Sequence, residues 1–210
     1  MYTLYYMPGA ASLVVHWLLL EISAPHELRL VDGAAGQQKS PEYLKLNPNG
    51  VVPVMLVEGR PVYEAAALAL LLAERHPAAR LAPAVGTLAR VQYLQWMLHL
   101  ANTLQPAYRA WFYPDEPAGA DAILAVQDRA RIRIEAAWDR IDAHLAAHGP
   151  WLAGDGPSAV DFHAGMLARW SRAMPRPATE WPAVARFVAA LKARPSFAEL
   201  NRREGLTDWL

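Results

Sequence analysis

The chain of 210 residues contains no cysteine. This absence excludes a disulfide scaffold, a cysteine-ligated zinc or iron–sulfur site, and a cysteine nucleophile of the protein's own. An excess of charge of one sign is lacking as well, because 20 basic side chains balance 20 acidic ones. Without a basic field to gather phosphates, nucleic acid is not an expected partner. Long hydrophobic runs are also missing. The longest, Leu13 to Leu20, broken by His16, and Ala65 to Ala73, fall far short of the roughly 20 apolar residues of a membrane span, so no membrane partner is expected. The start, Met1-Tyr2-Thr3-Leu4-Tyr5-Tyr6, has neither a basic region nor a small-residue cleavage pattern, and a cytoplasmic location is the expectation.

What is present is a folding composition, 54% hydrophobic and 19% charged, long enough for one large domain or two small ones. Tyr2 to Tyr6 is rich in strand formers and stops at Pro8-Gly9. A helix is expected from Ser12 to about Ile22, a second strand over Glu27 to Val31, and a short helix from Ser40-Pro41 to the Asn47-Pro48-Asn49-Gly50 turn. Pro53 to Val57 and Pro61 to Tyr63 flank Glu58-Gly59-Arg60 as a hairpin, and the helix-forming run after Glu64 ends before Pro77. Strand–helix–strand implies a parallel pair with a right-handed crossover, and the hairpin adds an antiparallel edge. The whole order, βαβαββα, is that of an α/β thioredoxin-like domain over residues 1–76.

Residues 77–86 read as a linker, with two prolines, a glycine and several alanines. Residues 87–210 show only helical periodicity and are expected to form an all-α C-terminal domain. Leu88, Val91, Leu94 and Leu98 mark one helix, interrupted near Pro106; Ile134, Trp138, Ile141 and Leu145 mark another. Further helices are expected from Ser158, from Pro182, and near Ser196 to Arg203. His144 and His148 stand four apart, but Leu145 occupies the place where a zincin motif needs glutamate, so no metal is expected. Arg129, Arg133 and Arg140 share one helix face and are expected to be solvated or part of a subunit contact.

Four local features narrow this outline. Tyr5-Tyr6-Met7-Pro8-Gly9-Ala10-Ala11-Ser12 joins the first strand to the first helix, and Asn47-Pro48-Asn49-Gly50-Val51-Val52-Pro53-Val54 leads into the third strand. Tyr63-Glu64-Ala65 opens the third helix, and Ser158-Ala159-Val160-Asp161 opens a helix of the second domain. In this order and at these separations, over the whole chain, the set resembles the cytosolic glutathione transferase superfamily and is most similar to its bacterial beta type.

The resemblance implies glutathione as co-substrate, a homodimer, and attack of the glutathione thiolate on a small apolar or aromatic electrophile. Val52 precedes a proline, Pro53, expected in the cis form; the backbone of Val52 would pair with the cysteinyl backbone of glutathione as an added strand. Glu64 would take the γ-glutamyl ammonium and the Ala65 N–H its carboxylate, at a helix N-terminus that favours anions. Family members often have serine at the place of Ala65. Ser158 and Asp161 form a capping-box pair and read as a folding element. Asn102, Thr103, Tyr108, Trp111, Phe112 and Tyr113 fall where the family lines its electrophile site, with packing residues as the competing role.

The beta type carries a cysteine immediately before the serine of its first turn, and here that residue is Ala11. Disulfide exchange through this position is excluded. A free thiol of pKa ~8.5 is only about 3% ionised at pH 7, so bound glutathione needs a donor. Ser12 is one candidate, with an N-cap as its structural alternative, and Tyr6 is the other. The competing functional reading is a glutathione-binding or protein-interaction module without catalysis.

Overall fold

The strand formers at the start become β1 (Tyr2–Tyr6), with Leu4 buried at its centre. The computed structural model describes residues 1–117 and 119–209. Helix α1 (Leu13–Glu21) follows, and every residue from Leu13 to Leu19 is buried. A helix apolar all round lies between other layers rather than on a surface. Strand β2 (His26–Leu30) runs parallel to β1, with Leu4 opposite Leu28. Helix α2 (Pro41–Leu44) starts at Ser40, whose Oγ accepts from the Tyr43 N–H at 3.2 Å, and Pro41 occupies the first turn, where its missing N–H costs nothing.

Strands β3 (Val54–Val57) and β4 (Arg60–Tyr63) form an antiparallel hairpin with Met55 opposite Val62, and α3 (Ala65–Arg75) comes next. The sheet order β2-β1-β3-β4, with β3 antiparallel to β1, is the thioredoxin-like arrangement implied by the element order.

The remaining elements are helical. Helix α4 (Leu88–His99) is capped by Thr87, whose hydroxyl accepts from the Arg90 N–H at 3.2 Å. A π-helical turn, Leu100–Leu104, joins it to α5 (Gln105–Phe112), which carries Pro106 in its first turn. A proline here removes one i→i−4 bond and crowds the preceding turn, which accounts for the widened turn just before it. Helix α6 (Ile123–His148) buries Ile134, Trp138, Ile141 and Leu145 as the spacing requires. It is followed by α7 (Ala159–Trp170), α8 (Pro182–Lys192) and α9 (Pro195–Glu204).

The start of α7 is held by Asp161. Its Oδ2 accepts from both the N–H and the hydroxyl of Ser158, and its Oδ1 from the Leu152 N–H, each at 2.8 Å. Complete burial pushes the Asp161 carboxyl up to about 6, against the pull of these hydrogen bonds.

The structure adds two facts to the sequence reading. Contacts group Met1–Ala82 with the stretch from Lys192 onward into one compact unit, and Pro83–Leu191 into a second. Helix α9 therefore packs with the sheet unit while remaining part of the all-helical stretch that begins at residue 87. Its inner residues Phe197 and Leu200 are buried, Ser196 accepts from Trp17 Nε1–H at 3.0 Å, and Arg194 Nε donates to Glu21 at 3.0 Å. The all-apolar α1 explains this, because a face that the sheet and α3 leave open needs a cover. The second is in α4. Leu88, Val91, Leu94 and Leu98 are 39% to 74% exposed, so the stripe that marked the helix points outward, and Tyr93 and Met97 face the core.

Candidate functional site

The turn between β1 and α1 is tied to itself by Ser12. Its hydroxyl donates to the Met7 carbonyl at 3.1 Å and accepts from the Met7 N–H at 3.2 Å. Ser12 is fully buried, its backbone is already helical, and its side chain caps no N–H of α1. Ser12 thus stands at the N-cap position without capping a backbone N–H through its side chain, and its hydroxyl is engaged with Met7. The N–H groups of Ala11 and Ser12 have no hydrogen-bond acceptor among the described residues, as befits a helix start. The Gly9 N–H donates to Glu204 Oε2 on α9 at 2.8 Å, and Gly9 takes a φ of 70° that a side chain would disfavour.

Tyr6 closes β1 beside this turn. Its ring lies 6.1 Å from that of His16, and its hydroxyl has no hydrogen-bond partner among the described residues. Burial, then the negative charge of Glu204, raise its pKa, so the phenol stays protonated and able to donate at neutral pH.

The second element is the approach to β3. Buried Asn47 folds the turn on itself: its Oδ1 accepts from the Asn49 N–H at 3.0 Å and its Nδ2 donates to the Val51 carbonyl at 2.8 Å. Tyr43 donates to the same carbonyl at 3.0 Å. The Val52–Pro53 bond is cis, as expected. Val52 sits in a small core with Val31, Tyr43 and Val54, while its N–H and C=O have no hydrogen-bond partner among the described residues. The sequence reading missed Lys39. Its Nζ donates to the Asn49 carbonyl at 3.3 Å and arches over Gly50, where an added Cβ would meet Lys39 Nζ at 2.9 Å. A lysine thirteen positions before Val52 in a loop carries no sequence signal of this proximity.

The third element is Glu64, which precedes α3 with φ 75° and ψ 107°. Such a conformation costs a non-glycine residue about 1–3 kcal/mol and persists where the surroundings impose it. The Glu64 side chain is exposed and makes no cap bond, and Ala65 begins the helix buried. A carboxylate and a helix N-terminus thus adjoin, offering opposite partners to a zwitterion.

In the helical unit, Asn102 and Thr103 are exposed on the π-helical turn, Trp111 is half-buried and Tyr113 exposed. Tyr113 carries the Arg109 guanidinium 4.4 Å above its ring. Tyr108 is different. It is fully buried and its hydroxyl accepts from Trp138 Nε1–H at 2.9 Å, which makes it a core residue rather than a lining one. His144 Nε2 is 3.0 Å from the Leu152 carbonyl, and the described residues contain no group of three or more metal-ligating side chains.

A thioredoxin-like sheet with a cis-proline edge, an acidic residue of positive φ at the start of α3 and an all-helical second unit defines the architectural class of the chain. Comparison with known proteins narrows the class. Residues 10–75 match the glutathione S-transferase N-terminal domain and residues 124–209 the C-terminal domain. Glutathione S-transferase GST-4.5 of Xanthomonas campestris pv. campestris is 32% identical, over 80% of this chain and 81% of its own. A glutathione transferase homologue from Sulfitobacter, solved with bound glutathione, superposes with a TM-score of 0.90 at 25% identity, covering 97% of this chain and 98% of its own. A beta-class enzyme from Sphingomonas chungbukensis gives 0.84 at 25% identity over 98% of this chain and all of its own. The chain belongs to the glutathione S-transferase family of enzymes.

Proposed function

We propose that the protein binds glutathione along Val52 and activates its thiol for attack on a small apolar or aromatic electrophile. The observation that carries this reading is the unpaired backbone edge of Val52, beside a turn whose N–H groups are likewise unused. The cysteinyl backbone of glutathione pairs with the Val52 N–H and C=O. Glu64 takes the γ-glutamyl ammonium and the Ala65 N–H the γ-glutamyl carboxylate, and we assign the glycyl carboxylate to Lys39, whose Nζ lies beside the turn before Val52. The glutathione bound in the Sulfitobacter homologue supports the ligand.

Sulfur then lies at the β1–α1 turn. Lowering a thiol pKa by two units takes about 2.7 kcal/mol of preferential stabilisation of the anion. Unused N–H groups at the start of α1, together with the free Tyr6 hydroxyl, are the donors we assign to it. Ser12 holds the turn that presents them. Ala11 stands where a beta-type relative would carry its cysteine, so the only thiol in the reaction is that of glutathione. The reaction is an addition or substitution: the thiolate forms a carbon–sulfur bond, and the electrophile keeps the electron pair or loses its leaving group.

Asn102, Trp111 and Tyr113 are assigned to the electrophile by the resemblance; Tyr108 is withdrawn because it is core. The outward apolar stripe of α4 supports a homodimer, with a second copy as its cover. No helix among the described residues is long and apolar enough to cross a membrane, and a cytoplasmic role in removing electrophiles completes the reading. Calorimetry with glutathione, followed by turnover of 1-chloro-2,4-dinitrobenzene, tests it. Binding with turnover is expected; binding without turnover leaves a glutathione-binding module, and absence of binding overturns the assignment.

A further inference from the structure

Helix α6 ends on two histidines one turn apart, His144 and His148. This i, i+4 spacing puts both imidazoles on one face of the helix. Their ring centres are 5.1 Å apart, with the planes inclined at 50°. Both residues belong to the unit Pro83–Leu191, and the glutathione reading uses neither of them.

Such a separation matches two ligands of one metal ion. With a metal–nitrogen bond of about 2.0 Å and a ring nitrogen about 1.2 Å from its centre, two imidazoles sharing an ion at a tetrahedral angle have centres about 5.2 Å apart. A square-planar angle would bring the centres to about 4.5 Å. The observed 5.1 Å falls at the tetrahedral value.

His144 is held as a metal ligand is held. Its Nε2–H donates to the Leu152 carbonyl at 3.0 Å, which fixes the tautomer and leaves the lone pair on Nδ1. The half-buried ring packs against Trp96 of α4, with ring centres 4.8 Å apart. His148 is exposed and has no hydrogen-bond partner among the described residues, so its nitrogens are available and entry from solvent is open. The position on the helix also favours a cation, because the pair stands at the C-terminal, negative end of a 26-residue dipole.

We propose that His144 and His148 bind one zinc ion through imidazole nitrogen, with His144 oriented by the Leu152 carbonyl. No third His, Asp or Glu side chain joins them among the described residues, so water completes the tetrahedron. Imidazole suits zinc, whereas magnesium and calcium take oxygen ligands. Leu145 stands where a zincin has its glutamate base, so no such base takes a proton from the bound water, and the site binds the ion without hydrolytic chemistry.

Isothermal titration calorimetry of the full, tag-free chain with zinc chloride tests this. It is run at pH 8, where imidazole is neutral, and without glutathione, whose own thiol would take the metal. One ion per chain is expected, and magnesium chloride should give no heat of binding. Outer partners of a ligand contribute about 10–100-fold to metal affinity, so loss of a ligand in His148→Ala, at an exposed position, should weaken zinc by roughly tenfold or more. His144→Ala should do the same, and His76→Ala, in the other unit, should change nothing. Absence of zinc binding, or equal affinity in wild type and His148→Ala, overturns the proposal. So does an equal response to magnesium, which would reduce the effect to general attraction of cations. Zinc binding is expected to survive in Glu64→Ala whether or not glutathione binding does; its loss there would overturn the assignment to α6.

Discussion

Glu204 Oε1 accepts from His16 Nδ1–H at 2.8 Å, with both side chains sealed from solvent and 188 residues between them in the chain. The other oxygen of the same carboxylate takes the Gly9 N–H at 2.8 Å. One buried carboxylate therefore fastens α9 to α1 and to the turn on which sulfur chemistry is proposed. Removing one member of such a pair leaves the other uncompensated, at about 3–5 kcal/mol. His16→Ala and Glu204→Ala should each lose that much in urea unfolding, and the double variant should lose less than the sum. Additive losses would show that the two residues act separately.

Ser12 and Tyr6 separate in the same kind of experiment. Ser12→Ala removes two hydrogen bonds to Met7, at about 1–3 kcal/mol of stability, and should leave the pKa of bound glutathione unchanged. Tyr6→Phe should keep stability and raise that pKa by about 1–2 units, since a hydrogen bond to a charged group contributes about 1.5–3 kcal/mol. Ultraviolet titration of the bound thiolate reads both. The reverse pattern would return the catalytic role to Ser12.

Glu64 makes two opposite predictions. Replacement by glycine relieves the positive φ and should raise stability by about 1 kcal/mol while abolishing recognition of the γ-glutamyl ammonium. Replacement by alanine keeps the strain and loses the same contact. Thermal melts should therefore distinguish the two variants, whereas glutathione KM should rise in both.

Asp161 gives the protein a pH signature. Its folded pKa is raised, so the stability it contributes is fully present below the unfolded value of about 3.9 and is lost as pH rises through about 6. Wild type should therefore gain about 1 kcal/mol relative to Asp161→Asn between pH 7.5 and pH 5. Urea melts of both proteins at the two values check the sign. A constant difference would mean that the carboxyl titrates normally.

The α4 stripe predicts assembly. Val91→Glu or Leu98→Glu adds charge to a face that is open in one chain and leaves the core untouched. Light scattering should find wild type as a dimer and either variant as a monomer with an unchanged far-ultraviolet spectrum. A monomeric wild type would remove the dimer from the reading.

The order of elements was legible because each carried a local signal. Pro8-Gly9 ends β1, Ser40-Pro41 starts α2, Gly59 turns the hairpin, and Ser158 with Asp161 starts α7. The positions of Val52, Glu64 and the first turn were legible for a similar reason, since each belongs to a short motif. Illegible were the facts that depend on a distant partner. Periodicity reports that Leu88, Val91, Leu94 and Leu98 share a face, but not whether that face meets the same chain. Nor could it distinguish Tyr108 in the core from Tyr113 outside, because both are aromatic residues on one kinked segment. Lys39 was missed because a loop, not a motif, brings it over Gly50.

The sequence by itself determined the thioredoxin-like order, the helical second unit and the exclusion of any protein thiol from the chemistry, while the cis-proline edge was expected only through the family resemblance. Tertiary structure alone decided where α9 packs, which way the apolar stripe of α4 faces, and that Tyr108 is core while Tyr113 is not. The physical reason is the range of the forces involved. Backbone propensity, capping and turn chemistry act within a few residues and are written in consecutive letters. Burial and charge pairing are settled by whichever group arrives from elsewhere in the chain, as Glu204 does for Gly9 and His16.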